Sequence, residues 1–324
     1  MSTTYLEAIR QGLWEEMERD SNVFLLGEDI GVYGGAFKVT AGFYEHFGEK
    51  RVVDTPISEA AIVGAAIGAG FMGLRPVAEM QFADFISCGF DQIVNFAAKC
   101  RYRWDAPVPI VVRAPSGGGI HGGPFHSQNP EMWFVKTPGL KVVAPATAYD
   151  AKGLIKSSIR DNDPVIFFEH KGLYRRIKED LPNEDYTVPI GKAKVVREGR
   201  DLSIITYGAM VWVALEAADK LAEEDGASVE VVDLRTLLPL DRETVCESVK
   251  KTSKALLLHE DTRTAGMAGE LAISITESVF EYLDGPIVRV TAPDTPVPYS
   301  PPLEDAFLPN AAKVIEKARW LYRY

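Results

Sequence analysis

Residues 58–82 read SEAAIVGAAIGAGFMGLRPVAEMQF. One acid, Glu59, precedes a stretch with no charge from Ala60 to Leu74, and the strand-like RPVAEMQF follows at once. Ser58 and Glu59 suit the start of a helix, the hydroxyl as a cap and the carboxylate against the positive end of the helix dipole. Gly64 and Gly68 stand about one turn apart beside Ala61, Ala65 and Ala69, so the predicted helix over 58–73 carries small side chains on one side. Glycine costs roughly 1 kcal/mol against alanine inside a helix. Close packing is expected to offset that cost, and the helix reads as buried. The run at 75–82 reads as a strand, one of a set whose other members include continuous Val/Ile/Phe runs such as 108–115 and 164–170. That pattern belongs to a parallel sheet covered on both faces.

The same alternation extends in both directions. An amphipathic acidic helix opens the chain. VFLLGED (23–29), VPIVVRAP (108–115), LKVVAP (140–145) and PVIFFEH (164–170) read as strands, with helical patterns at 86–101 and 147–160. Polar text with Pro182 and Pro189 interrupts the pattern at 178–201. The alternation then restarts with strands at 201–208, 229–235, 254–261 and 286–293 and helices at 211–224, 241–250 and 267–282. The expectation is an α/β protein of two domains, each a mostly parallel sheet flanked by helices. Residues 1–185 form the first, 186–200 the connection and 201–324 the second.

Bulk properties remove several functions. A net charge of −11 without a basic cluster is unsuited to gripping nucleic acid, while a basic protein partner stays compatible with it. The cysteines, Cys88, Cys100 and Cys246, are odd in number and form no CxxC pair. That fits a reducing compartment without disulfides or a zinc site. The N-terminus lacks the basic start and apolar middle of a signal peptide. The uncharged run is shorter than the ~20 residues of a membrane span. A cytoplasmic protein with no membrane association is expected.

The loop SGGGIHGGPFHSQ (116–128) holds G-x-G-x-x-G at Gly117, Gly119 and Gly122. A dinucleotide site also needs an acid at the end of the next strand, and LKVVAP ends without one. The glycines are read as shaping a mobile loop that presents His121 and His126. His126 is the candidate acid–base group, because imidazole titrates near neutrality. His46 reads as a surface residue. His170 and His259 end strands, where either a functional or a structural hydrogen-bonding role fits. The acidic strand ends GED (27–29) and EDT (260–262) can bond neighbouring loops or position a ligand. GxSxG, Walker A and HExxH motifs are absent from the sequence.

Several long stretches occur in one order: LLGEDIG (25–31), GGAFKVT (34–40), RVVDTPISEAAIVGAAIGAG (51–70), GLRPVAEMQF (73–82), FDQIVN (90–95), FHSQNPE (125–131), PGLKVVAP (138–145), RDNDPVIFFE (160–169) and VVDLRTLLPLD (231–241). Together they resemble the beta subunit of the thiamine-diphosphate-dependent 2-oxo acid dehydrogenases, almost end to end. The resemblance implies a pyrimidine-binding domain followed by a transketolase C-terminal-like domain. It implies that Glu59 binds the aminopyrimidine ring of thiamine diphosphate and shares a proton with it. Phe85 would stack on that ring, Ile57 and Gln81 would line its pocket, and His126 would handle protons on the substrate side. Ser158, Asp161 and Asp163 match a structural potassium site of some relatives, several of which have Asn in place of Asp163. GDG followed by Asn-Asn, which holds the diphosphate and Mg²⁺ in thiamine enzymes, is missing here. The resemblance therefore implies an alpha subunit carrying that half of the site, in an α2β2 heterotetramer. It also implies docking to the subunit-binding domain of a lipoyl acyltransferase core. The expected reaction is oxidative decarboxylation of a 2-oxo acid with reductive acylation of a lipoyl group. FFEHKGLYR (167–175) leans toward branched-chain substrates over pyruvate. The rivals are a transketolase-like subunit and a non-catalytic scaffold.

Overall fold

The computed structural model describes residues 2–324. They divide into two compact units, residues 2–116 with Trp133–Ile190, and Gly117–Met132 with Gly191–Tyr324. The glycine loop thus groups with the second unit.

In the first unit, six strands form a parallel sheet: β1 (Val23–Gly27), β2 (Val52–Asp54), β3 (Arg75–Glu79), β4 (Val111–Ser116), β5 (Lys141–Val143) and β6 (Val165–His170). Their order is β5-β6-β4-β3-β1-β2, every pairing parallel. All six residues of β4 are buried, as a strand covered on both faces requires. β2 was not among the strands expected from the sequence.

Helix α1 (Tyr5–Arg19) starts with a reciprocal cap, in which the Thr4 hydroxyl accepts from Glu7 N–H and the Glu7 carboxylate accepts from Thr4 N–H. It packs on α3 (Ala148–Arg160) so closely that a Cβ on Gly12 would stand 2.5 Å from Ile155 Cγ2. Helix α2 (Glu59–Phe71) buries Ile62, Val63, Ala66, Ile67 and Gly70. It is not buried all round. Ala61, Gly64, Ala65 and Gly68 are exposed, and a Cβ on either of these glycines would meet nothing within 4 Å. The helix expected over 86–101 is wound in pieces: a 3₁₀ segment (Ala83–Gly89), a π segment (Gln92–Ala97) and an α segment (Ala98–Trp104). Gly89 lies against the first turn of α2, where a Cβ would be 3.0 Å from Val63 Cγ2 and 3.3 Å from the Glu59 carbonyl.

The second unit holds β7 (Lys194–Arg197), β8 (Leu202–Thr206), β9 (Val229–Asp233), β10 (Ala255–Thr262) and β11 (Val288–Ala292). Their order is β11-β10-β8-β9-β7, parallel except where the edge strand β7 runs antiparallel to β9. β7 lies in text expected to be a plain connection. Helices α4 (Met210–Asp225), α5 (Arg242–Thr252), α6 (Met267–Val279), α7 (Pro301–Phe307) and α8 (Ala311–Tyr322) complete the unit. Leu202, Ile204, Leu221, Val231, Leu256 and Val314 share one buried cluster. Among the described residues, no helix is long and apolar enough to cross a membrane.

Candidate active site

The carboxyl ends of parallel strands are where open α/β sheets gather functional groups. β1 ends at Gly27 and delivers Glu28 and Asp29. β2 leads through Thr55–Ser58 to Glu59 in the first turn of α2, and β3 leads to Gln81. The Ser58 side chain makes no capping bond. Its backbone instead bonds the Glu28 carboxylate. Glu28 is buried, and its Oε1 has no hydrogen-bond partner among the described residues. Burial, then the charge of Glu59, then that of Asp29, push the Glu28 carboxyl above its ordinary range. Two acids therefore share one corner, Glu59 half-buried and Glu28 beneath it.

The surrounding loop is tied down. Gln81 Nε2 donates to Asp29 Oδ2 at 3.0 Å, Gly31 N–H to Asp54 Oδ1 at 2.6 Å and Thr40 Oγ1 to the Ile30 carbonyl at 2.7 Å. Phe85 is half-buried and meets Phe82 edge-on, with ring centroids 5.9 Å apart. Phe82 meets Phe37 at 5.5 Å, and Phe37 meets Tyr174 at 5.2 Å. Ile57 is 83% exposed. Below them, buried Arg113 bonds both Glu79 and Glu169, and Tyr174 donates to Glu169 at 2.8 Å. Burial raises the Glu79 carboxyl, with Arg113 opposing the shift. The tyrosine hydroxyl is held well above its usual range by the same burial. Four sequence-predicted residues, Ile57, Glu59, Gln81 and Phe85, thus belong to this unit. Arg113 was not singled out from the sequence, and Glu28 only as part of the acidic strand end GED (27–29). An acid following a strand was visible at Glu28, but its closeness to Glu59 was not.

These groups fit an aminopyrimidine ring. A half-buried acid, a buried carboxylate oxygen without a partner, an open aliphatic side chain and a half-open aromatic ring offer polar and stacking contacts.

His126 lies in the second unit. Its N–H donates to the Gly123 carbonyl at 3.3 Å, closing a 3₁₀ turn over Gly123–Phe125. His121 Nδ1 stands 2.7 Å from Glu304 Oε2. His46 pairs with Glu18 on the surface, and His170 Nδ1 accepts from Gly172 N–H. His259 is buried, which pushes its imidazole down to about 4.

The predicted potassium ligands are otherwise engaged. Lys141 Nζ bonds both Asp161 oxygens at 2.7 and 2.6 Å, and Arg101 Nε bonds Asp163 at 2.9 Å. Arg75 takes the Asp161 carbonyl at 2.9 Å, and the Ser158 hydroxyl donates to Leu154. Cationic side chains of the chain itself, Lys141, Arg101 and Arg75, thus occupy acceptors on Asp161 and Asp163. Among the described residues, no group of three or more His, Cys, Asp or Glu could hold a metal.

Two family models match. Residues 1–177 match the transketolase pyrimidine binding domain and residues 191–314 the transketolase C-terminal domain. The 2-oxoisovalerate dehydrogenase subunit beta of Bacillus subtilis (strain 168) is 54% identical over 99% of both chains. The chain belongs to the beta-subunit family of the 2-oxo acid dehydrogenases. The pyruvate dehydrogenase E1 component subunit beta of the same organism is 48% identical over 98% of this chain and 97% of that one. A Staphylococcus aureus (strain N315) pyruvate dehydrogenase E1 component subunit beta is 46% identical over 98% and 97%. Among solved structures, a chain titled "Split gene transketolase, inactive beta4 tetramer" superposes with a TM-score of 0.81 over 100% of this chain and 99% of its own, at 23% identity. That likeness concerns the fold. As a family member, the chain is part of an oxidoreductase that depends on thiamine diphosphate.

Proposed function

We propose that this chain is the beta subunit of a decarboxylating 2-oxo acid dehydrogenase that acts on branched-chain 2-oxo acids and passes the acyl group to a lipoyl group. The observation that carries the reading is Glu59 at the mouth of α2 beside the buried, partly unsatisfied Glu28. The greater identity to the 2-oxoisovalerate enzyme than to the pyruvate enzymes favours the branched-chain substrate.

When bound, thiamine diphosphate supplies a nucleophilic carbon and an electron sink for the decarboxylated substrate. Glu59 holds a proton at the pyrimidine ring, and the Glu28 carboxyl beside it is raised above its ordinary range by burial and by the charge of Glu59. Phe85 and Ile57 orient the ring and exclude water, and Gln81 holds the Asp29 loop in place. His126 moves protons on the substrate side. The diphosphate and Mg²⁺ fall to an alpha subunit in an α2β2 assembly. The exposed small-residue face of α2, continuous with exposed Phe71 and Met72, is compatible with such a neighbour. The net charge of −11 suits a basic subunit-binding domain on a lipoyl acyltransferase core. A cytoplasmic location completes the reading.

Native mass spectrometry of the protein purified from its own cells tests this. A heterotetramer carrying thiamine diphosphate and Mg²⁺ is expected. A homo-oligomer without either would overturn the reading in favour of a scaffold. A cofactor-loaded heteromer that transfers two-carbon units to a sugar phosphate, and no acyl group to a lipoyl domain, would replace it with the transketolase-like alternative.

A further inference from the structure

The loop that carries His126 is held by two carboxylates from the body of the second unit. Glu304 of α7 is fully buried. One of its oxygens accepts from Gly119 N–H at 3.0 Å, and the other from His121 N–H at 3.1 Å, with His121 Nδ1 at 2.7 Å from that same oxygen. Glu260 Oε1 accepts from Gly118 N–H at 2.7 Å and from Asn129 Nδ2 at 3.0 Å. His121 adopts a φ of 59°, in the left-handed region, which a side-chain-bearing residue rarely occupies without support. Glu304 supplies that support by binding the residue through both its backbone and its ring.

The hold reaches His126 through glycine contacts. A Cβ on Gly118 would be 3.2 Å from Glu304 Oε1 and 3.1 Å from Leu308 Cδ2, so a side chain there would crowd the carboxylate by a few tenths of an ångström. A Cβ on Gly122 would be 2.9 Å from His126 Cβ and 2.9 Å from Ser127 Oγ. The backbone beside His121 is therefore the surface against which the base of the His126 side chain rests. Gly123 is pressed on the Tyr299 ring, where a Cβ would be 2.3 Å from Cε1.

We propose that Glu304 is the positioning residue for His126, fixing the 118–122 backbone that sets where the His126 side chain stands. This rests on the proton-handling role given to His126 above. Glu304→Gln is the informative variant. Whichever way the amide turns, its NH₂ faces a backbone N–H that now has a carboxylate oxygen. The loop is expected to shift while the helix around it keeps its shape.

The test is a double-mutant cycle in the heteromeric complex. His126→Ala, Glu304→Gln and the double variant are assayed for decarboxylation with an artificial electron acceptor and for acylation of a purified lipoyl domain. Glu304→Gln should slow acylation by about 10²-fold, the scale of a small misplacement. The double variant should be no slower than His126→Ala. Normal acylation in Glu304→Gln beside an impaired His126→Ala overturns the inference alone, as do losses that multiply in the double variant. Normal acylation in His126→Ala overturns the underlying reading of His126. Should Glu304→Gln fail to assemble, Glu304→Asp replaces it. That variant keeps all three acceptor roles at shorter reach, and a smaller loss with the same non-additivity is expected.

Discussion

Glu28 and Glu304 are both buried glutamates beside a candidate catalytic group, yet their surroundings are opposite. Glu304 is saturated, its two oxygens accepting two backbone N–H groups and meeting an imidazole. Glu28 has one oxygen without a partner and a neighbouring acid that disfavours its charge. A buried carboxylate with all its bonds made holds structure, whereas one left short of bonds sits at a cost that the fold alone does not repay. Glu79 and Glu169, both bonded to Arg113, belong with Glu304 in this respect. The contrast separates acids that shape the protein from acids available to chemistry.

The hardest blow to this contrast would come from Arg113. Arg113→Met leaves two buried carboxylates without their cation and should cost about 3–5 kcal/mol, read as a lower denaturant midpoint or failure to fold. A loss under about 1 kcal/mol, within the range of surface pairs, would show that the network is not structural.

Glu28→Gln should act in the other direction. The folded protein holds the Glu28 proton more tightly than the unfolded chain does, so the stability linked to this group falls as pH rises from about 4.5 through its raised folded value. The glutamine removes that decline. Melting temperatures of variant and wild type should therefore diverge in favour of the variant as pH rises from about 4.5 through the raised folded value, and stay apart above it, at about 2–4 °C per kcal/mol, while activity drops. A variant that melts lower at pH 8 would place Glu28 with the structural acids.

Much of the fold is legible in the residues. β4 and β6 are continuous apolar runs because both faces are covered, and the reading of VPIVVRAP and PVIFFEH as strands needs nothing more. The glycines of α2 are a different matter. Gly64 and Gly68 announce a smooth helix face, but smallness does not say whether that face is covered within the same chain, and here it is open. Winding in pieces over 83–104 was hidden because Gly89 is a breaker only in view of what it touches on α2. Glu59 could be singled out through the long motif around it. Its partnership with Glu28 crosses two strands and depends on the sheet order. Glu304 had no signal at all, since the loop it holds lies more than 180 residues earlier in the chain.

The central claim is that the acid at the mouth of α2 performs proton chemistry on the pyrimidine ring. Single-turnover decarboxylation by the Glu59→Gln complex, saturated with thiamine diphosphate and checked for unchanged mass, tests it most directly. The expected rate is lower by about 10²–10⁴-fold, the range for losing a positioned acid–base group. A rate close to wild type would contradict it.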